Sequence, residues 1–231
     1  MINYLYEVVK AGKGDIVFLN FTMKREDTGS DDICIGIQQS LPTSEFSMVN
    51  IYAEDWNCDY SPWKFVDEAA HKDFAGGGEK LLNWVKDILV DELKRGLCKP
   101  QAKFFIGGYS LAGLFCLWAA CESDIFEGCV IGSASLWYPG MLEYIASVNL
   151  SKKIYVYMSL GTKEEKARDR YMSQVGDNTR LIYECLKGAP WVKEVVLEWN
   201  PGNHFTEVSG RMVKGYVHML NTIGIACNHI L

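Results

Sequence analysis

The 231-residue chain reads as an α/β protein, a mostly parallel sheet with helices on both faces, and three observations point there. From residue 46 onward, short runs rich in β-branched and aromatic residues alternate with segments of helical apolar spacing, as strands joined by crossover helices require. Two of those runs, Phe104 to Ile106 and Gly128 to Ala134, are almost wholly apolar rather than alternating, the mark of strands buried on both faces. The length suits one α/β domain, 1–231, with a single well-covered core and no lid domain.

Bulk properties narrow the function classes. With 48% hydrophobic and 23% charged residues the composition is that of a soluble globular protein. The net charge of −6 leaves no footprint for nucleic acid or for an anionic membrane, and neither is expected as a partner. Met1 to Gly14 carries Glu7 and Lys10 and no long apolar stretch, so no secretion signal is read and a cytoplasmic location is expected. No run reaches transmembrane length. The eight cysteines include no C-x-x-C pair, and Cys116, Cys121 and Cys129 fall in apolar runs. Reduced, mostly buried thiols are expected rather than disulfides or a zinc site, and no cofactor is implied.

In chain order, Met1 to Gly14 yields no element. Asp15 to Met23 and Asp31 to Ile37 both alternate and are rich in β-formers, which predicts two antiparallel strands joined by a turn at Thr28-Gly29-Ser30. Phe46 to Tyr52 is the next strand, opening into an aromatic loop, Ala53 to Trp63, that Pro62 keeps non-helical. Gly76-Gly77-Gly78 leads into a helix over 79–93 with Leu81, Leu82, Val85, Ile88 and Leu89 on one face. Its GGGEK opening lacks the Walker spacing and reads as a flexible turn rather than a phosphate cradle.

The strand at 104–106 ends in Gly107-Gly108-Tyr109-Ser110-Leu111-Ala112-Gly113, followed by a helix with Leu111, Leu114, Phe115 and Trp118 as its buried stripe. Strands follow at 128–134, 153–158 and 192–199. A helix is expected over 177–186 with Asp177 as N-cap, and a terminal helix over 207–220. Repeats, linkers and low-complexity stretches are not apparent.

A serine on a sharp strand-to-helix turn is placed as a nucleophile, with small residues two positions to either side. Here Gly108 and Ala112 fill those places, so the pattern is G-x-S-x-A. The pentapeptide is weak by itself; the buried strand before it and the apolar helix after it give it weight. Working residues in such sheets gather at the carboxyl ends of strands. Those ends offer Ser110, then Glu164 or Glu165, then His204 in a Pro-Gly-Asn loop. A serine needs a base to take its proton, and a histidine suits that task when a carboxylate fixes its tautomer. Asp169 and Asp177 remain alternatives for the acid, as does a Ser–His pair without one. Lys163 to Arg170 also reads as a solvated charge run. His71, His218 and His229 read as ordinary surface or core residues. Oxyanion donors would be the Leu111 amide and one from the loop after Tyr52, near Asp55 or Trp56. Trp56, Trp63, Trp137 and Tyr138, with Tyr109 beside the serine, lie on the same predicted edge and suggest the wall of a small-molecule pocket.

GGYSLAGLFCLWA around Ser110, SASLWYPG at 133–140, SLGTKEE at 159–165 and NPGNHF at 200–205 together resemble an esterase family of the α/β-hydrolase superfamily. That family includes siderophore (enterochelin) esterases and S-formylglutathione hydrolases. The resemblance spans about residues 15 to 220 and implies the α/β-hydrolase fold, Ser110 as nucleophile, His204 as base and Glu164, in G-x-x-E, as acid. It implies cleavage of a small carboxylic ester or thioester through an acyl-enzyme. An acyltransferase, or a catalytically silent ligand-binding protein of the same fold, are the other readings. Only one strand is readable between residues 45 and 103, where the family's sheet places two.

Overall fold

Seven strands form the central sheet of the computed structural model, which describes residues 4–23, 30–68 and 71–228. The chain opens with β1 (Leu5–Lys10) and β2 (Ile16–Met23), then α1 (Ser30–Ser40) and β3 (Ser47–Ala53). A short α2 (Trp56–Asp59) precedes a hairpin of β4 (Lys64–Asp67) and β5 (Lys72–Ala75), which forms a separate two-stranded sheet. Next come α3 (Gly78–Trp84), a π-helical turn (Val85–Leu89) and α4 (Val90–Gly96), continuous in direction. The second half is β6 (Lys103–Tyr109), α5 (Leu111–Glu122), β7 (Phe126–Gly132), α6 (Met141–Ser147), β8 (Ile154–Gly161), α7 (Val175–Gly188), β9 (Val192–Asn200) and α8 (Val208–Asn228).

The sheet order is β1-β3-β2-β6-β7-β8-β9, with every pair parallel except β1 against β3. Parallel strands need covered faces. On one face α5 fills the centre, joined by α3, α4, α6 and α7 over Val17, Leu19, Phe104, Ile106 and Ile131. On the other, α1 and α8 pack together over Phe18, Met48, Phe105, Val130 and Tyr157. Every residue of α5 from Leu111 to Cys121 is buried, so it is a core helix rather than the one-striped helix its sequence suggested.

Several expectations need correction. Residues 31–37 are helical, not a second strand: Ile33 and Ile37 are buried one turn apart while Ile35 between them is 53% exposed. β2 pairs only with parallel neighbours, and the antiparallel pair is β3 with β1, a largely exposed edge strand in a segment with no clear pattern. The Thr28-Gly29 part of the proposed turn, and His229, lie outside the described residues. The hairpin β4–β5 was hidden because KFVD and KDFA are short and half charged. α7 begins at Val175 with Gln174 at its cap position, and Asp177 sits exposed in the first turn. The seven cysteines whose side chains are described are free thiols; three are buried and four are half-buried, a lower share than expected. No helix among the described residues is long and apolar enough to cross a membrane.

Candidate active site

Ser110 stands between the end of β6 and the start of α5 with φ 60° and ψ −123°. A non-glycine residue in that region costs about 1–3 kcal/mol and persists only where its surroundings over-determine it. Here they do. The Ser110 amide donates to Gly132 O at 2.9 Å, and its carbonyl accepts from Ser135 N at 3.0 Å and Leu114 N at 3.1 Å. The turn is tight: a Cβ on Gly108 would lie 2.7 Å from the backbone of Ala112, and one on Gly113 would lie 2.9 Å from Gly108 O. The methyl of Ala112 is fully buried within this packing.

Parallel register aligns the carboxyl ends of the neighbouring strands. Tyr109 pairs with Gly132, Gly132 with Ser159, and Gly161 with Asn200. The segments leaving β8 and β9 therefore emerge beside the elbow, and Ser110, His204 and Glu164 meet. His204 Nε2 lies 3.1 Å from Ser110 Oγ, and its Nδ1 lies 2.8 Å from Glu164 Oε2. The other acids stand elsewhere. Glu165 and Asp177 pair with Arg180, and Asp169 accepts from the amides of Tyr171 and Met172. His218 pairs with Glu194, and His71 sits at the β4–β5 turn with φ 52°.

Glu164 is buried, and its second oxygen has its own partners. Oε1 accepts from Ser133 Oγ at 2.6 Å, from Gly161 N at 2.7 Å and from Arg211 Nη1 at 2.9 Å. Burial pushes this carboxyl up, but the hydrogen bonds from His204, Ser133 and Gly161 outweigh it and hold the group below its ordinary value. Arg211, 1% exposed on α8, also donates to the carbonyls of Pro201 (3.2 Å) and Asn203 (2.9 Å), on the loop that carries His204. Tyr109 Oη donates to His204 O at 2.7 Å and accepts from Arg211. One buried guanidinium thus ties the acid to the histidine loop.

A cavity of about 410 Å³ opens over Ser110, Leu111 and His204. Trp56, Phe74, Trp137, Met172 and Val175 supply its apolar lining. Of the expected pocket residues, Trp56 and Trp137 line it; Trp63, Tyr138 and Tyr109 do not. Trp63 Nε1 donates to Pro139 O, and Tyr138 Oη donates to Trp63 O, so these two rings lock onto each other. Tyr138 packs behind Phe74, which takes the wall position. Tyr109 lies against the His204 ring from within the fold. Leu111 and Trp56 each occupy the first position of a helix, where the amide has no intrahelical acceptor. The Asp55 side chain caps α2 through Asn57 N and Cys58 N, which fixes the turn presenting Trp56.

Arg211, Ser133 and Phe74 were not singled out from sequence. Arg211 left no clear signal: at about 100° per residue it falls beside, not on, the stripe of Met212, Tyr216 and Met219, where an arginine reads as a surface cation.

No protein-family model and no curated protein sequence matches the chain. Solved structures do. The siderophore hydrolase EstA from Aspergillus nidulans superposes with a TM-score of 0.73 at 15% identity, covering 93% of this chain and 84% of that one. An IroE-like serine hydrolase from Shewanella oneidensis gives 0.74 at 15% identity, covering 94% and 75%. The enterobactin esterase FES from Shigella flexneri gives 0.66 at 13% identity, covering 96% of this chain but 60% of its own. At these identities the likeness establishes the α/β-hydrolase fold.

Proposed function

We propose that this chain is a serine-dependent hydrolase of small carboxylic esters or thioesters, a member of the esterase family it resembles. The observation that carries the reading is the unbroken relay from Ser110 Oγ through His204 to Glu164, at 3.1 and 2.8 Å, beginning on a strained elbow. Strain of this kind is held where a nucleophile must be presented. Fold relatives named as esterases and serine hydrolases agree with it.

The chemistry follows from the geometry. Ser110 Oγ attacks the ester carbonyl while His204 Nε2 takes its proton. Glu164 Oε2 holds the Nδ1 proton and stabilises the imidazolium without itself being protonated. The tetrahedral oxyanion is met by the amides of Leu111 and Trp56. Collapse expels the alcohol or thiol, which leaves with the proton from His204. Water then attacks the acyl-Ser110, giving a proton to His204, and the acid departs as Ser110 recovers its hydrogen. Arg211 acts as a positioning residue, fixing Glu164 through Oε1 and the His204 loop through two carbonyls.

Fluorophosphonate labelling with peptide mapping tests the proposal. A single adduct on Ser110, with release of 4-nitrophenol from short-chain esters that Ser110→Ala abolishes, is expected. No adduct together with no turnover would leave a ligand-binding protein of this fold instead. Product analysis with added alcohols separates hydrolysis from acyl transfer: the free acid should dominate.

A further inference from the structure

The cavity over Ser110 has a charged side as well as an apolar one. Its charged lining residues are Lys72, Lys163, Lys166 and the single acid Glu164. Glu164 is already matched by Arg211 at 2.9 Å, so the lining carries three positive charges with no acid to offset them. The chain as a whole is at −6, which makes this concentration run against its overall balance.

The three lysines arrive from two separate elements. Lys72 begins β5 of the hairpin, while Lys163 and Lys166 bracket the 3₁₀ turn (Glu164–Lys166) that follows β8. The two regions are joined through Phe65 of β4 and Tyr171, whose rings pack edge-on at 5.2 Å. Among the described residues, Lys99, Lys152, Arg180, Arg211 and Lys214 form ion pairs, and none of the three cavity lysines does. Near Lys163 and Lys166 the acids are engaged, Glu165 with Arg180 and Asp169 with two backbone amides; Lys72 has Asp73 beside it and Asp67 opposite it in the hairpin, and forms an ion pair with neither. Facing them, Phe205 stands 83% exposed at the rim, its ring edge-on to His204 at 5.2 Å. An apolar ring left in water and cations left unpaired, around one cavity, are complementary to a ligand with both characters.

Resting on the hydrolase reading, we propose that the preferred ester carries a negative charge remote from its scissile carbonyl. Its apolar part lies against Trp56, Trp137 and Phe205, and its anionic end meets Lys72, Lys163 and Lys166. Lysine ammonium groups are mobile point charges and lack the planar fork by which arginine selects a carboxylate or phosphate. The selection is therefore for charge, not for one anion geometry.

The test compares two esters of nearly the same shape and different charge: the mono-4-nitrophenyl ester of suberic acid, with a free carboxylate, and the neutral mixed methyl 4-nitrophenyl diester, both followed by release of 4-nitrophenol. Wild type should favour the anion by about tenfold in kcat/KM, and the preference should shrink as salt rises. Replacing all three lysines with glutamine should bring the ratio to about one, and Lys163→Gln alone should bring it part of the way. A wild-type ratio at or below one, or a ratio unmoved by the triple variant, overturns the proposal. If neither ester is turned over, the hydrolase reading is judged separately, by fluorophosphonate labelling of Ser110. The charge selection is then decided by tryptophan quenching on titration with the two esters, since Trp56 and Trp137 line the cavity. Tighter binding of the anion, lost in the triple variant, supports it, and equal binding overturns it.

Discussion

At the scale of single residues, Glu164 divides its work between two oxygens. Oε2 orients His204, and Oε1 answers Arg211, Ser133 and Gly161. Glu164→Gln preserves shape but places an amide where His204 Nδ1–H needs an acceptor, so kcat should fall by about 10³–10⁴. A loss under tenfold in steady-state assays would remove Glu164 from the mechanism. Arg211→Met takes away the positive charge that offsets this carboxylate. Glu164 and the His204 loop then lose their shared anchor, so kcat should fall with KM little changed, while Arg211→Lys restores part of the loss. A wild-type kcat in Arg211→Met, or no recovery in Arg211→Lys, would remove Arg211 from the positioning of the relay. Stability should also drop by about 3–5 kcal/mol in Arg211→Met, because a buried charge loses its partner. Ser110 and His204 could be picked out of the sequence because each follows a strand end in a short turn, whereas Glu164 was set apart from Glu165, Asp169 and Asp177 only by its place in the G-x-x-E of the resemblance. Arg211 could not, since a lone arginine in a terminal helix looks like any surface cation until the sheet beneath it is known.

At the scale of elements, the β6–α5 turn depends on close backbone approach. Gly108→Val would force a branched side chain where even a Cβ comes within 2.7 Å of the Ala112 backbone. The turn must open, carrying Ser110 Oγ away from His204. Activity should fall at least a hundredfold, along with a loss of stability on denaturant titration. Retained wild-type turnover would show that the elbow yields without cost. The strands from β6 to β8 were legible because burial writes a largely apolar run into each of them, and the half-buried edge strand β9 because its residues alternate. Elements at the other margin were not. β1 is an exposed edge strand, paired on one side by β3 and carrying no strong pattern. Residues 31–37 alternate in sequence, yet burial of Ile33 and Ile37 against the α8 face made them helix. The β4–β5 hairpin owes its place to aromatic contacts of Phe65 and Phe74 with Tyr138, Tyr171 and Trp137, partners distant in the chain.

At the scale of the molecule, the catalytic network and the second core depend on the same helix. α8 covers one face of the sheet with Met212, Tyr216, Met219 and Leu220, and two ionised contacts fasten it near the active edge. Arg211 bonds Glu164, and Lys214 bonds Glu198. Glu198, like Glu164, is pushed up by burial but held low overall, in its case by Lys214 and Tyr157. A carboxyl lowered on folding adds stability that is fully present above its unfolded value, and that is lost as pH falls through the folded one. Both carboxyls have an ordinary value of 4.5, so resistance to urea should be level near neutrality and decline as the pH drops below about 5. Protonation of Glu164 strips the buried guanidinium of its counter-charge, so activity should vanish before the sheet melts as α8 loosens over Phe18, Phe105 and Val130. Binding of an apolar dye in this window, with far-ultraviolet dichroism largely retained, is the expected signature. Glu164→Gln, unable to titrate, should start from a lower midpoint and show a flatter acid slope. If its slope matched that of wild type, the acid transition would belong to other carboxylates, and α8 would not be held through the catalytic acid.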